Sequence, residues 1–427
     1  MDEQVIAMTA PLSRSSTRTR HRRWLPAAAA LWALAVAVTL HGQTAPDASA
    51  AGQVLQRLAR GEMALESSGA WGYLPSLLRA LDIGTDSQVL VFSKTSLQDA
   101  FISPTTPRAL YFNDEAAVGF VQGGPVLEVA VQVPGEGVAF YTVDNRPPAI
   151  PKAERRDRDC ARCHRAASPF ASGLLVTSTQ IGEDGMPFLT ASPTLYTTTD
   201  HRTPFGERWS GWYVTGTHGK QVHQGNLAGM DVTHPRAPAS QNLTTLASRF
   251  DTSKYLEPTS DLVALMTLEH QATLVDMIAS VNAQFRGGGS PVIVGQTITR
   301  QQAIDDLVAY LLFVEEAPLG APVAGVSSFA KTFQARGRRD SRGRSLRDFD
   351  LQTRVFKYPL SYLIDSEFFL KMDAGARAQV YQRLFDVLTG KDTSPRFARL
   401  SSGDRQAVLE ILRDTHANLP AYWRPAP

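Results

Sequence analysis

The chain has 427 residues, 43% of them hydrophobic and 20% charged, with a formal net charge of +2. That balance belongs to a folded globular protein, not to a disordered or collagen-like chain. The near-neutral charge gives no reason to expect a nucleic-acid partner or an anionic membrane surface, and the length suits two domains.

In chain order, the N-terminus comes first. Residues 14–23 read RSSTRTRHRR, with five arginines and no acid, and about sixteen apolar residues follow from Leu25 to Leu40. The small-residue pattern Ala48-Ser49-Ala50 closes the segment. This is the order of a secretory signal, so residues 1–50 are expected to be removed near Ala50 after export to a periplasmic or other external compartment. The apolar run is shorter than the roughly 20 residues of a membrane span. An uncleaved N-terminal anchor is the alternative. Arg22-Arg23 is not read as a twin-arginine signal, because that route carries folded proteins. Of 43 basic and 41 acidic residues, the first 50 positions hold five arginines and three acids (Asp2, Glu3, Asp47), leaving 38 of each.

Helical patterns at GQVLQRLARGEMAL (52–65) and YLPSLLRALDI (73–83) lead into strand signals. SQVLVFS, RALYFND, AAVGFVQ, VLEVAVQV and VAFYTV are β-branched and aromatic runs, and QGGP and PGEG separate the last of them as hairpin turns. A further hairpin is expected around GEDGMP, from SGLLVTSTQI to FLTASPTLYTTT, and another strand in RWSGWYVTGTHG. From about residue 258 the period becomes helical. Val263, Met266, His270, Leu274, Met277 and Val281 recur on one face. Thr299 and Gln302 are spaced as a capping box. ARGRRDSRGRSLRD (335–348) reads as a solvated loop, and GARAQVYQRLFDVLTG and SGDRQAVLEILRDT as helices. The expected fold class is α+β. A β-rich region over 51–250 carries the motif described next, and a helical region over 251–427 packs on it.

The only two cysteines, Cys160 and Cys163, lie in DRDCARCHRA, with His164 directly after them. A CxxC pair can be a redox dithiol, half of a zinc site, a small disulfide or a haem attachment site. Structural zinc needs four ligands, and Cys163 and His164 are awkwardly adjacent for one tetrahedral ion. A redox dithiol would sit where a strand meets a helix, whereas PPAIPKAERRDRD offers no apolar run leading in. A c-type haem uses every residue: two thioethers, and His164 as proximal iron ligand. Export fits this reading, since no cysteine is left over for structural disulfides.

Three longer segments resemble a family of exported bacterial proteins with one CxxCH, labelled as cytochrome c domain-containing. They are QVLVFSKTSLQDAFISPTTPRALYFNDEAAVGFVQGGPVLEVA, GWYVTGTHGKQVHQGN and VFKYPLSYLIDSEFF. The resemblance covers most of the chain after residue 50. It implies one covalent haem c, export and electron transfer, with Cys160, Cys163 and His164 as the attachment and proximal residues. It implies no substrate and no sixth ligand.

The sixth ligand must come from chemistry. Electron-transfer haems take a second His or a Met, and haem enzymes leave that position open. His218, in a glycine-bounded loop after an aromatic strand, ranks first. His270 follows, on an apolar helix face where a histidine must find a partner; then come His223 and, more weakly, Met230. Arg155, Arg156, Arg158, Arg162 and Arg165 crowd the motif as candidate propionate partners, a solvated basic loop, or a docking patch for an acidic redox partner. There is no GxSxG, Walker A or HExxH motif. Two function classes follow: an electron carrier with a redox partner protein, or a peroxidase-like haem oxidoreductase with an open distal side.

Overall fold

The computed structural model describes residues 49–424, except 149, 165–172, 189–195, 230–237, 288–291 and 294–295. Residues 1–48 of the expected signal or anchor (1–50) and the candidate Met230 therefore lie outside the described residues.

Seven strands form one antiparallel sheet: β1 (Val89–Val91), β2 (Arg108–Phe112), β3 (Ala116–Phe120), β4 (Val126–Val133), β5 (Gly137–Asp144), β6 (Ala153–Arg155) and, after the small hairpin of β7 (Thr177–Thr179) and β8 (Tyr196–Thr198), β9 (Trp212–Tyr213). Their spatial order is β6-β5-β4-β3-β2-β1-β9. β2 to β5 are a meander whose neighbours in sequence are neighbours in space. β9 returns to the far edge, pairing Leu90 with Tyr213.

Alternation along each strand sends successive side chains to opposite faces. Leu127, Val129, Val131, Tyr141 and Val143 share a core with Leu55 and Leu58 of α1 (Ala50–Ala59) and Leu74 and Leu77 of α2 (Leu74–Ala80). Ser49, inside the expected cleavage pattern, caps α1 by accepting from the Gly52 amide at 3.0 Å. The opposite face presents Val89, Val91, Phe112, Val138 and Phe140 to the helical region. That face also carries Glu128, Gln132 and Thr142, the cross-strand partners or strand-mates of these residues. A short helix, α3 (Asp157–His164), follows β6.

On the second face α4 (Leu262–Phe285) packs against β5 and α6 (Phe329–Ala335) meets Phe112, while α5 (Arg300–Leu311) and α8 (Ala374–Leu388) pack on α4, α9 (Ser402–Thr415) packs on α8, and α7 (Glu367–Leu370) belongs to the same core. The fold is thus α+β, a sheet with helices on both faces. Residues 47–427 form one compact unit.

α4 departs from the one-faced helix expected. Leu262, Ala264, Leu265, Thr267, Leu268, Glu269 and Gln271 are buried together with the anticipated stripe, of which Met277 alone is half-buried. It is long and apolar enough to cross a membrane by length and composition, and 83% of its apolar window is buried inside the protein. Asp261 starts it, accepting from the Val263 and Ala264 amides through Oδ1, and from the Val326 and Ser327 amides through Oδ2. The Thr299–Gln302 capping box forms as expected at the start of α5. The arginine-rich loop 335–348 is tied down rather than merely solvated: Arg344 pairs with Asp340 and Glu410, Arg339 with Asp348, and Arg347 with Asp114.

Candidate functional site

The motif lies on α3, and the strand leading into it corrects the sequence reading. β6 is only three residues of mixed character, Ala153-Glu154-Arg155, buried at its first residue alone, so no apolar run announces it. Asp157 ties the helix start to the sheet, its Oδ1 accepting from the Phe140 amide at 2.8 Å. Asp157 and Asp159 lie in the first turn, where carboxylates complement the helix dipole. Each is held by an arginine, Asp157 by Arg155 and Asp159 by Arg156. These two arginines are therefore neutralised locally and do not form a free basic patch.

Within a helix, positions i, i+3 and i+4 share a face. Cys160, Cys163 and His164 have that spacing, so both sulfurs and the imidazole lie along one side of α3. Cys160 is half-buried against the core and Cys163 is exposed, and both thiols are free. Burial, reinforced by Glu128, Asp157 and Asp159, pushes the Cys160 thiol up to about 11. Redox-active thiols at helix N-termini are displaced the other way.

His164 packs on Phe140, with ring centroids 4.5 Å apart. Its Nδ1 lies 2.7 Å from the carbonyl oxygen of Gly173. A carbonyl can only accept, so Nδ1 carries the proton and Nε2 keeps the lone pair. Burial lowers the basicity of this ring and the Gly173 bond partly restores it; Arg108 and Glu128 act on it in opposite directions. Arg108 and Glu128 pair at 3.1 Å on the same sheet face, and Glu128 also accepts from Ser96 Oγ and Gln98 Nε2. The next peptide nitrogen, Leu174, donates to Oδ1 of Asp276 on α4 at 3.0 Å. Several polar atoms on this side of the sheet and on α4 have no protein partner: Arg108 Nε and both amide atoms of Gln132 and of Gln284. Buried polar groups are nearly always hydrogen-bonded.

The distal candidates are placed elsewhere. His218 donates from Nδ1 to the Gln221 carbonyl at 2.8 Å and accepts at Nε2 from the Asn242 amide at 2.9 Å, so the main chain engages both nitrogens. His223 accepts at Nδ1 from the Gly225 amide at 3.0 Å, and its ring meets that of His218 at 4.9 Å. His270 is bridged between His201 Nδ1 and Ser361 Oγ, each at 2.8 Å. It also lies six residues before Asp276, which on an α-helix is about 9 Å along the axis and about 120° around it. His270 therefore leaves α4 on a different side from the one that meets Leu174. No ring contact or hydrogen bond joins His218, His223 or His270 to His164 among the described residues. His201, the partner of His270, has its Nε2 buried without a partner. Among the described residues, no group of three or more His, Cys, Asp or Glu converges as a metal-ion site, so the zinc reading has no ligand set there.

Asp276, Gly173, Phe140, Arg108 and Glu128 were not anticipated at the site. Only Asp276 left a local signal, as a lone acid in the apolar run ATLVDMIASV.

The buried histidines make a prediction about acid stability. Burial lowers both His223 and His270 from 6.5 to about 3. Below 6.5 the unfolded chain takes up protons that the folded chain refuses, so stability falls as pH drops through this window. The melting temperature should decline from pH 6.5 toward 3, and His223→Gln should flatten that decline. An unchanged slope in the variant contradicts the assignment.

No family model matches the chain, and no curated protein or solved structure is found to be similar to it.

Proposed function

We propose that this is an exported c-type cytochrome holding one haem through thioethers at Cys160 and Cys163, with His164 as proximal ligand, and working in electron transfer with a redox partner protein. One observation carries the reading: both cysteines and the imidazole share one helix face, and the imidazole is already oriented by a carbonyl at Nδ1. Histidine ligands to metals nearly always have their second nitrogen held in this way. The free, unpaired thiols are consistent with attachment. Arg108 Nε, buried beside the motif without an acceptor, suits a propionate oxygen. A bound haem would supply one-electron exchange; the chain supplies its attachment, His164, and a desolvated wall at Phe140.

Export rests on the N-terminal pattern, with a retained anchor as the alternative location. A second reading, a haem oxidoreductase with an open distal side, gains from the engaged nitrogens of His218 and His270. Ligation by either would break bonds the fold already makes. Acid–acetone extraction of the purified, exported protein tests the main proposal. Colour that stays with the protein supports covalent attachment, and colour that leaves with the solvent overturns it. His218→Ala, His223→Ala and His270→Ala, each read by the ferric spectrum, separate the two readings. If one of them turns a low-spin haem high-spin, that histidine is the sixth ligand and the carrier reading stands. A wild-type haem already high-spin favours the oxidoreductase.

A further inference from the structure

The carbonyl that receives His164 and the amide that reaches Asp276 belong to the same peptide group. Gly173 contributes the C=O, 2.7 Å from His164 Nδ1, and Leu174 contributes the N–H, 3.0 Å from Asp276 Oδ1. The chain of contacts runs from imidazole to carbonyl, through one resonance-coupled amide, to a carboxyl on the central helix. Glycine is required for it: a Cβ at position 173 would lie 1.7 Å from Asp276 Oδ1.

Resting on the haem reading above, we propose that the Gly173–Leu174 peptide relays the carboxyl of Asp276 to His164, making Asp276 a positioning and tuning residue for the iron ligand. An ionised carboxylate accepting from an amide N–H draws that proton toward itself. Electron density shifts onto the carbonyl oxygen, which becomes a stronger acceptor, because hydrogen bonds in a chain polarise one another. The His164 Nδ1–H is then pulled harder, the ring gains imidazolate character, and Nε2 becomes a stronger donor. A stronger donor stabilises ferric over ferrous iron. Carboxylates bonded directly to metal-bound histidines act in this sense; here one peptide stands between the two.

Asp276 is half-buried where it meets Leu174, and charge interactions are screened less there than in bulk water. Burial also pushes this acid up to about 8. The relay is therefore strongest in alkaline solution.

The test compares wild-type holoprotein with Asp276→Asn and Asp276→Leu by redox titration above that value. Asparagine keeps an oxygen that accepts from Leu174 but carries no charge. A merely structural role would survive this change with the potential unmoved. The relay predicts that Asp276→Asn retains covalent haem and its ferric band positions while the midpoint potential rises. Asp276→Leu, which loses the acceptor as well, should raise the potential at least as far. A wild-type potential in Asp276→Asn, with haem attached, overturns the relay while leaving the haem proposal intact. A wild-type protein without covalent haem overturns the haem proposal itself.

Discussion

Replacing both Cys160 and Cys163 with alanine should abolish covalent haem, while the chain still folds. Neither sulfur is part of a disulfide, and Cys163 is exposed, so little packing is lost with them. Each single variant should keep one thioether and retain haem in reduced yield. His164→Ala should behave differently. Both sulfurs remain, so attachment is still possible, but the ring that packs on Phe140 and bonds to Gly173 is gone. Its haem should lose the proximal imidazole and change its ferric spectrum. The checks are haem staining after denaturing electrophoresis, for attachment, and absorption spectroscopy, for ligation. Equal haem content in the double variant and wild type would remove the basis of the attachment claim.

The largest effect on stability should come from Glu269→Ala. Glu269 is fully buried on α4, where it accepts from Arg208 Nη1 at 2.6 Å and Trp209 Nε1 at 2.9 Å. Arg208 is 2% exposed and is otherwise held by the Thr203 and His201 carbonyls. Removing the carboxylate leaves a guanidinium in the core without its counter-charge, which costs about 3–5 kcal/mol. Glu269→Gln keeps an acceptor oxygen for one donor but not the charge, so it should lose less than alanine. Denaturant unfolding measures both. The network pins Arg208 and Trp209 onto α4, and they lead into β9 and the His218–His223 loop. The unfolding transition of Glu269→Ala should therefore shift to lower denaturant with little change in slope. A loss within about 0.5 kcal/mol, the size of an ordinary surface substitution, would contradict this account of the ion pair.

Much of the sheet was legible because β2 to β5 are β-branched and aromatic runs, with glycine turns between β3 and β4 and between β4 and β5, which is local information. β6 was not, since Ala153-Glu154-Arg155 has neither length nor hydrophobicity and pairs only because β5 is already there. α4 was recognised as a helix, but its burial on nearly all sides depends on what packs around it, and the notion of one apolar stripe understated that. His270 illustrates the same limit. The sequence marked it as a histidine needing a partner on an apolar face, and the partners are His201, 69 residues away, and Ser361, 91 residues away. The cysteines and His164 could be singled out because their chemistry is in their spacing. Asp276 could not be assigned to them, because only the fold brings α4 to the peptide after Gly173. His218 shows what a local pattern leaves out. Flanking glycines suggested close approach to a flat ligand, whereas Gly219 adopts a positive φ of 62° in a turn closed by the histidine's own bond to Gln221.

The central claim is that α3 is a haem attachment helix. Peptide mass spectrometry of the exported protein, after proteolysis without reduction, measures this directly on the fragment containing residues 157–164. The account predicts that fragment at its sequence mass plus one haem, with both sulfurs resistant to alkylation. Two alkylatable thiols, or a fragment two hydrogens light from a Cys160–Cys163 disulfide, would contradict it.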